Sequence, residues 1–140
     1  MADNLTKEQR HKNMKNIRAE NTSIELKFRK ALYHAGFRYL KNVKEMTGKP
    51  DIVLPKYKTV IFIHGCFWHR HENCKYATTP ATNTDFWINK FNTTVMRDKY
   101  EQNVLENAGW NVIIIWECEI KSSFDNVLAK TIELILNNSN

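Results

Sequence analysis

Between Val60 and Tyr76 an apolar stretch opens into His64, Cys66, His69, His71 and Cys74, with Phe67 and Trp68 among them. Imidazoles and thiols at this density serve two chemistries, metal binding and proton transfer. Cys66, His71 and Cys74 follow a C-x4-H-x2-C spacing, and Cys118 lies just beyond a second apolar stretch ending at Trp116. Thiolates and neutral imidazole in tetrahedral number suit structural zinc, a borderline-soft cation that they neutralise. Such an ion would tie a loop leaving one strand to a cysteine leaving another. The set accounts for all three cysteines of the chain. The spacing is not one of the common finger patterns, so reduced thiols beside an unrelated histidine also suit these residues.

His64 and His69 are not needed for that ligand count, and either can move a proton near neutral pH. Pro50-Asp51 opens a β-rich run, and a hairpin with the run ending at His64 would bring the carboxylate close. An acid there suits Mg²⁺, which prefers oxygen ligands and stabilises charge building on a phosphate. A turn-capping carboxylate after Pro50 is the simpler reading of the residue by itself. Glu25 is similarly two-sided: it completes capping-box spacing with Thr22, and a first-turn glutamate can also face a metal site. Large aromatics are ordinarily core. Phe67 and Trp68 fall in a segment read as a loop, where exposure and stacking on nucleic-acid bases are equally open. Trp87, in the first turn of a later helix, reads more simply as core.

These groups need a scaffold, and 140 residues with a 42% hydrophobic share allow one domain with a single real core. A formal net charge of +6 favours a polyanionic partner. No stretch approaches the about 18 apolar residues of a membrane span, and the N-terminus lacks the apolar centre of a signal peptide. The expectation is a cytoplasmic chain without structural disulfides. Residues 1–21, with Lys7, Arg10, Lys12, Lys15 and Arg18, read as a basic arm or a solvated tail. Residues 22–140 form the expected domain.

Ile24, Phe28, Leu32 and Ala35 recur at helical spacing until Gly36. Strands are expected over Arg38–Val43, Asp51–Leu54 and Lys58–Ile63, with a turn at Pro55–Lys58. Residues 84–108 predict a helix with a break near Asn92. After Gly109, Asn111–Trp116 predicts a strand buried on both faces, and a last helix is expected over Ser122–Leu136. The order points to an α/β fold around a mixed sheet flanked by helices.

The run Phe62-Ile63-His64-Gly65-Cys66-Phe67-Trp68-His69-Arg70-His71, with Pro50-Asp51 upstream and Trp116-Glu117-Cys118 downstream, resembles the very short patch repair (Vsr) endonuclease family. The likeness runs from about Thr6 to Lys121. It implies a restriction-endonuclease-like fold and a monomeric bacterial DNA mismatch endonuclease. Such an enzyme nicks the strand carrying the thymine of a T:G mismatch left by deamination of 5-methylcytosine. It implies functional links to a cytosine-5 DNA methyltransferase and a repair polymerase.

Position by position, the resemblance makes Asp51 the Mg²⁺-binding acid and gives the Ile63 backbone carbonyl to the same metal. Threonine is frequent at the Ile63 position in the family, a change that leaves the carbonyl in place. His69 becomes the general base, His64 a supporting histidine, and Glu25 a contact to water held by the metal. Cys66, His71, Cys74 and Cys118 become the zinc ligands. Phe67, Trp68 and Trp87 would enter the duplex from the major groove and Met14 from the minor groove. Restriction-type nucleases usually carry an acid-x-lysine pair where this chain has Ile63-His64-Gly65, so histidines must replace lysine in activating water. A zinc-stabilised, non-catalytic DNA-binding module is the alternative, and it leaves Asp51, His64 and His69 without roles.

Overall fold

The computed structural model describes residues 23–41 and 43–138. The basic arm with Met14, and Thr22 of the capping box, lie outside the described residues. Helix α1, Ser23–His34, buries Phe28 and Leu32 completely, as their four-residue spacing requires. It ends at Gly36, whose φ of +100° lets Phe37 N–H reach the Leu32 carbonyl at 3.1 Å and its own N–H reach Tyr33 at 3.0 Å.

Strands β1 (Leu40–Lys41), β2 (Ile52–Leu54), β3 (Thr59–His64) and β4 (Asn111–Trp116) lie side by side in that order. The first three are antiparallel neighbours, and β4 runs parallel to β3. Between β3 and β4 come the one-turn helix α2, Cys66–His69, and the long helix α3, Thr84–Asn107. Helix α4 spans Glu117–Asn137. The mixed sheet flanked by helices has the expected restriction-endonuclease-like architecture.

Strand alternation sorts the core into two layers. Ile52, Leu54, Ile61, Ile113 and Ile115 pack with Phe28 and Leu32 of α1 and with Ile120 and Ile135 of α4. Val53, Val60 and Phe62 pack on the opposite face with Leu105 of α3. Each such side chain contributes roughly 1.5–3 kcal/mol through burial. The same alternation carries a functional consequence: His64 follows Phe62 by two residues, so it faces the α3 side.

Four features of these elements differ from the sequence reading. Helix α3 runs through Asn92 unbroken, because Phe91 and Thr94 are buried on one face and the Thr93 and Thr94 hydroxyls bond back to Asn89 and Lys90 at 2.9 and 3.0 Å. Helix α4 starts at Glu117 rather than Ser122, with the Glu119 carboxylate accepting the Trp116 N–H at 3.2 Å, and a kink at non-helical Ser123 lies next to the expected start. Strand β1 is reduced to two exposed residues, because Arg38 is held at the end of α1, over the Tyr33 ring at 4.2 Å and bonded to the Phe37 carbonyl at 3.3 Å. Strand β4 buries Ile113 and Ile115 but leaves Val112 and Ile114 half-buried, as befits an edge strand. Among the described residues no helix is long and apolar enough to cross a membrane.

Candidate functional site

The β2–β3 hairpin delivers the first part of the site. Its register pairs Ile52 with Ile61, which carries Asp51 to the far end of β3. The Asp51 Oδ2 accepts the Ile63 N–H at 2.6 Å, and the aspartate is buried, 8% exposed. One residue further, His64 is equally enclosed. Burial, reinforced by the neighbouring His69, pushes its pKa down to about 3, against an opposing pull from Asp98. His64 is therefore a neutral imidazole at physiological pH.

Gly65 starts α2, and this single turn brings His69 back over His64, with the His69 N–H on the Gly65 carbonyl at 3.1 Å. The two imidazoles stack with centroids 3.8 Å apart and planes 7° from parallel. His69 Nδ1 lies 2.6 Å from Oδ2 of Asp98 on α3. A carboxylate at that distance keeps the proton on Nδ1, which leaves Nε2 as a lone pair able to accept one. His64, His69 and Asp98 bring their polar atoms within 4.8 Å of one another.

Asp98 was absent from the sequence reading. The available signal was positional: Phe91, Thr94, Asp98 and Leu105 fall on one helical stripe, and an acid on a buried stripe needs a partner. Glu25 is buried on α1 and ion-paired with Arg29 at 3.7 Å.

The second part lies where β3 and β4 end together. Their parallel register pairs His64 with Trp116, so Cys66 and Cys118 stand two residues beyond each strand, side by side. Arg70 and Asn73, both at left-handed φ (+56° and +57°), turn the chain so that His71 and Cys74 return to the same point. Ligand atoms of Cys66, His71, Cys74 and Cys118 all lie within 4.8 Å of one another, and Cys118 Sγ is 3.3 Å from His71 Nδ1. Burial pushes the Cys66 thiol up to about 12 and raises Cys118 as well, whereas a backbone hydrogen bond from Tyr76 lowers Cys74. Thiols raised this way ionise only beside a cation, and three sulfurs plus one imidazole are the donor set of a soft tetrahedral ion. Trp116 links the two parts, stacking on His71 at 4.3 Å and meeting His64 edge-on at 5.3 Å.

The third part is aromatic. Phe67 and Trp68 sit on the α2 turn, not in a loop, and meet Trp87 of α3 at 6.0 and 5.9 Å. Phe91 supports them from below, 5.2 Å from Phe67, and Phe86, which the sequence reading did not single out, extends the patch with 60% exposure. Phe67, Trp68 and Trp87 are all half-buried. For Trp87 this corrects the simple core reading: the ring packs against Phe67, Trp68, Phe86 and Phe91 yet stays half-buried.

A family model described as DNA mismatch endonuclease Vsr matches residues 2–75 of the chain. The chain is 48% identical over 122 residues to a type II nicking enzyme of Neisseria meningitidis, covering 87% of this chain and 86% of the relative. It is 40% identical over 121 residues to the DNA mismatch endonuclease Vsr of Escherichia coli, covering 86% and 77%. A type II nicking enzyme of Xanthomonas oryzae is 37% identical over 120 residues, covering 86% and 88%.

Proposed function

The chain belongs to the Vsr family of DNA mismatch endonucleases, and from that premise we propose that it nicks the thymine-bearing strand of a T:G mismatch in duplex DNA. Its reaction is hydrolysis of one phosphodiester bond, leaving a 5′-phosphate and a 3′-hydroxyl. The observation that carries the reading is the His69–Asp98 pair, stacked on neutral His64 beside the Asp51–Ile63 contact. Such a pair is a general base held in one tautomer, and a purely structural module has no use for it.

His69 Nε2 takes the proton from the attacking water, and the Asp98 carboxylate stabilises the imidazolium that forms. His64, neutral and fixed between His69 and Trp116, holds the His69 ring plane. Asp51 and the Ile63 carbonyl would hold Mg²⁺, their hard oxygens being the type that ion prefers. When bound it supplies positive charge to the phosphate oxygens as negative charge accumulates there. Glu25 contributes a further carboxylate on the α1 side. Cys66, His71, Cys74 and Cys118 would hold Zn²⁺, joining the ends of β3 and β4 and fixing the α2 turn between them.

Phe67, Trp68 and Trp87 enter the duplex beside the mismatch, where unstacking costs least. Met14 and the basic arm approach from the other groove. The enzyme acts as a monomer in the bacterial cytoplasm. A cytosine-5 methyltransferase creates the methylated base whose deamination gives the substrate, and a repair polymerase extends from the 3′-hydroxyl.

A panel of end-labelled duplexes carrying each mismatch, incubated with Mg²⁺ and scored for strand and position of the nick, tests this reading. Nicking beside the thymine of T:G is expected, with Asp51→Ala reducing it by about 10³-fold or more. Uniform cutting of fully paired DNA would remove the mismatch assignment. Binding without cleavage, unchanged by Asp51→Ala, would leave the non-catalytic DNA-binding module.

A further inference from the structure

Rings that enter a duplex bind more tightly if their planes are set before DNA arrives. One side chain is built into the aromatic set without belonging to the chemistry or to the metal ligands. Arg70 caps α2 in the left-handed region, φ 56° and ψ 60°, with its N–H on the Cys66 carbonyl. Its guanidinium donates from Nη1 to the carbonyls of Phe67 (3.0 Å) and Thr78 (2.9 Å). From Nη2 it donates to the Ala77 carbonyl (2.9 Å) and Thr79 Oγ1 (3.2 Å). The same group lies 3.8 Å from the centroid of Phe91 and 5.7 Å from that of Phe67.

Four acceptors from two chain segments and a ring from a third are thus gathered on one planar fork. The segment between His71 and α3 has no helix or strand of its own, so these bonds register it against α2 and α3. A lysine retains the charge but cannot span the four acceptors or stack flat on Phe91.

We propose that Arg70 is a positioning residue for mismatch entry: its guanidinium locks the α2 turn, residues 77–79 and Phe91 into one body that holds Phe67 and Trp68 ready to insert. This rests on the reading of Phe67, Trp68 and Trp87 as the entering rings. Each side chain that must instead be ordered on binding weakens affinity by about 2- to 10-fold. Because the fork holds Phe67 directly and Trp68 through the same turn, Arg70→Lys is expected to weaken binding of a T:G duplex by roughly 10-fold or more. Affinity for the fully paired duplex is expected to stay the same, since the charge that phosphates feel is kept. At saturating T:G duplex, kcat should change by less than about 3-fold, so the effect falls on KM. Arg70→Gly, which suits the left-handed backbone but has no fork, should lose at least as much discrimination as Arg70→Lys.

Dissociation constants for both duplexes, measured by fluorescence anisotropy without added magnesium, and nicking kinetics with it, decide the matter. Melting temperature and zinc content are read on every variant. A wild-type ratio of T:G to paired affinity in folded, zinc-loaded Arg70→Lys overturns the proposal. So does equal weakening on both duplexes, or a fall in kcat with KM unchanged. If Arg70→Lys fails to fold, Arg70→Gly decides: it removes the fork at a backbone position that glycine suits, and a wild-type ratio there is equally fatal. Retained discrimination in Phe67→Ala with Trp68→Ala refutes the ring reading, and the role of Arg70 with it. Lost discrimination there, but not in Arg70→Lys, overturns the role of Arg70 alone.

Discussion

Asp98→Asn tests the heart of the mechanism with nearly no change in shape. The carboxylate lies 2.6 Å from His69 Nδ1, with side-chain exposures of 12% for Asp98 and 25% for His69. When His69 accepts the proton from water, an imidazolium forms opposite a fixed negative charge. With charge centres about 4 Å apart and an effective dielectric of about 20, the attraction is about 4 kcal/mol. Partial solvent access to His69 screens part of this, so a loss of about 2.7–4 kcal/mol in the transition state is expected, or about 10²–10³-fold in rate. An asparagine can also present its amide N–H to Nδ1, which moves the imidazole proton to Nε2 and removes the base. The assay is single-turnover nicking of a labelled T:G duplex with enzyme in excess, alongside the dissociation constant without magnesium. The rate should fall while affinity holds. A drop of less than about 5-fold in a folded variant would show that His69 does not accept the proton, or does so without help from Asp98.

Other consequences follow from the same geometry. His64 stays neutral in the folded chain down to about 3, whereas the unfolded chain protonates it near 6.5. The unfolded state therefore binds the extra proton in that window, and the stability present above about pH 6.5 is lost as pH falls, at about 1.4 kcal/mol per unit. Between pH 7 and 5 the wild type should lose about 2 kcal/mol more than His64→Asn in urea unfolding; equal losses would refute the buried neutral histidine. Cys118→Ser should abolish stoichiometric zinc and lower the melting temperature by more than about 5 °C, and a full zinc complement in that variant would contradict the four-ligand set. Gly48 has φ +78°, and a Cβ there would come within 3.1 Å of the Phe62 ring. Gly48→Ala should therefore cost about 1–2 kcal/mol by denaturant titration, and a neutral result would show that the loop before Asp51 shifts freely.

Much of the site was written locally. The C-x4-H-x2-C run names its own metal chemistry because sulfur and imidazole donors gather within nine residues of one another. The unbroken apolar run Val60, Ile61, Phe62 and Ile63 likewise marks a buried strand, since hydrophobicity and length are properties of the segment itself. The amphipathic spacing of Phe28 and Leu32 does the same for α1.

What only the tertiary structure decided was which distant groups meet. Asp98 is separated from His69 by 29 residues and joins it because Leu105 packs α3 onto the sheet face that carries His64, while Phe91 packs α3 against Phe67 of the α2 turn. Cys118 reaches Cys66 because β3 and β4 are parallel and in register, and parallel pairing is a long-range choice that no local pattern announces. Phe67, Trp68 and Trp87 are neither core nor free, because they pack on one another where the α2 turn meets the first turn of α3 and stay half-buried there. Arg70, one more basic residue in a basic chain, becomes a keystone only when three segments close around its guanidinium. Residue type sets what chemistry is available; contact between segments far apart in the chain, governed by strand register and helix burial, sets which groups perform it.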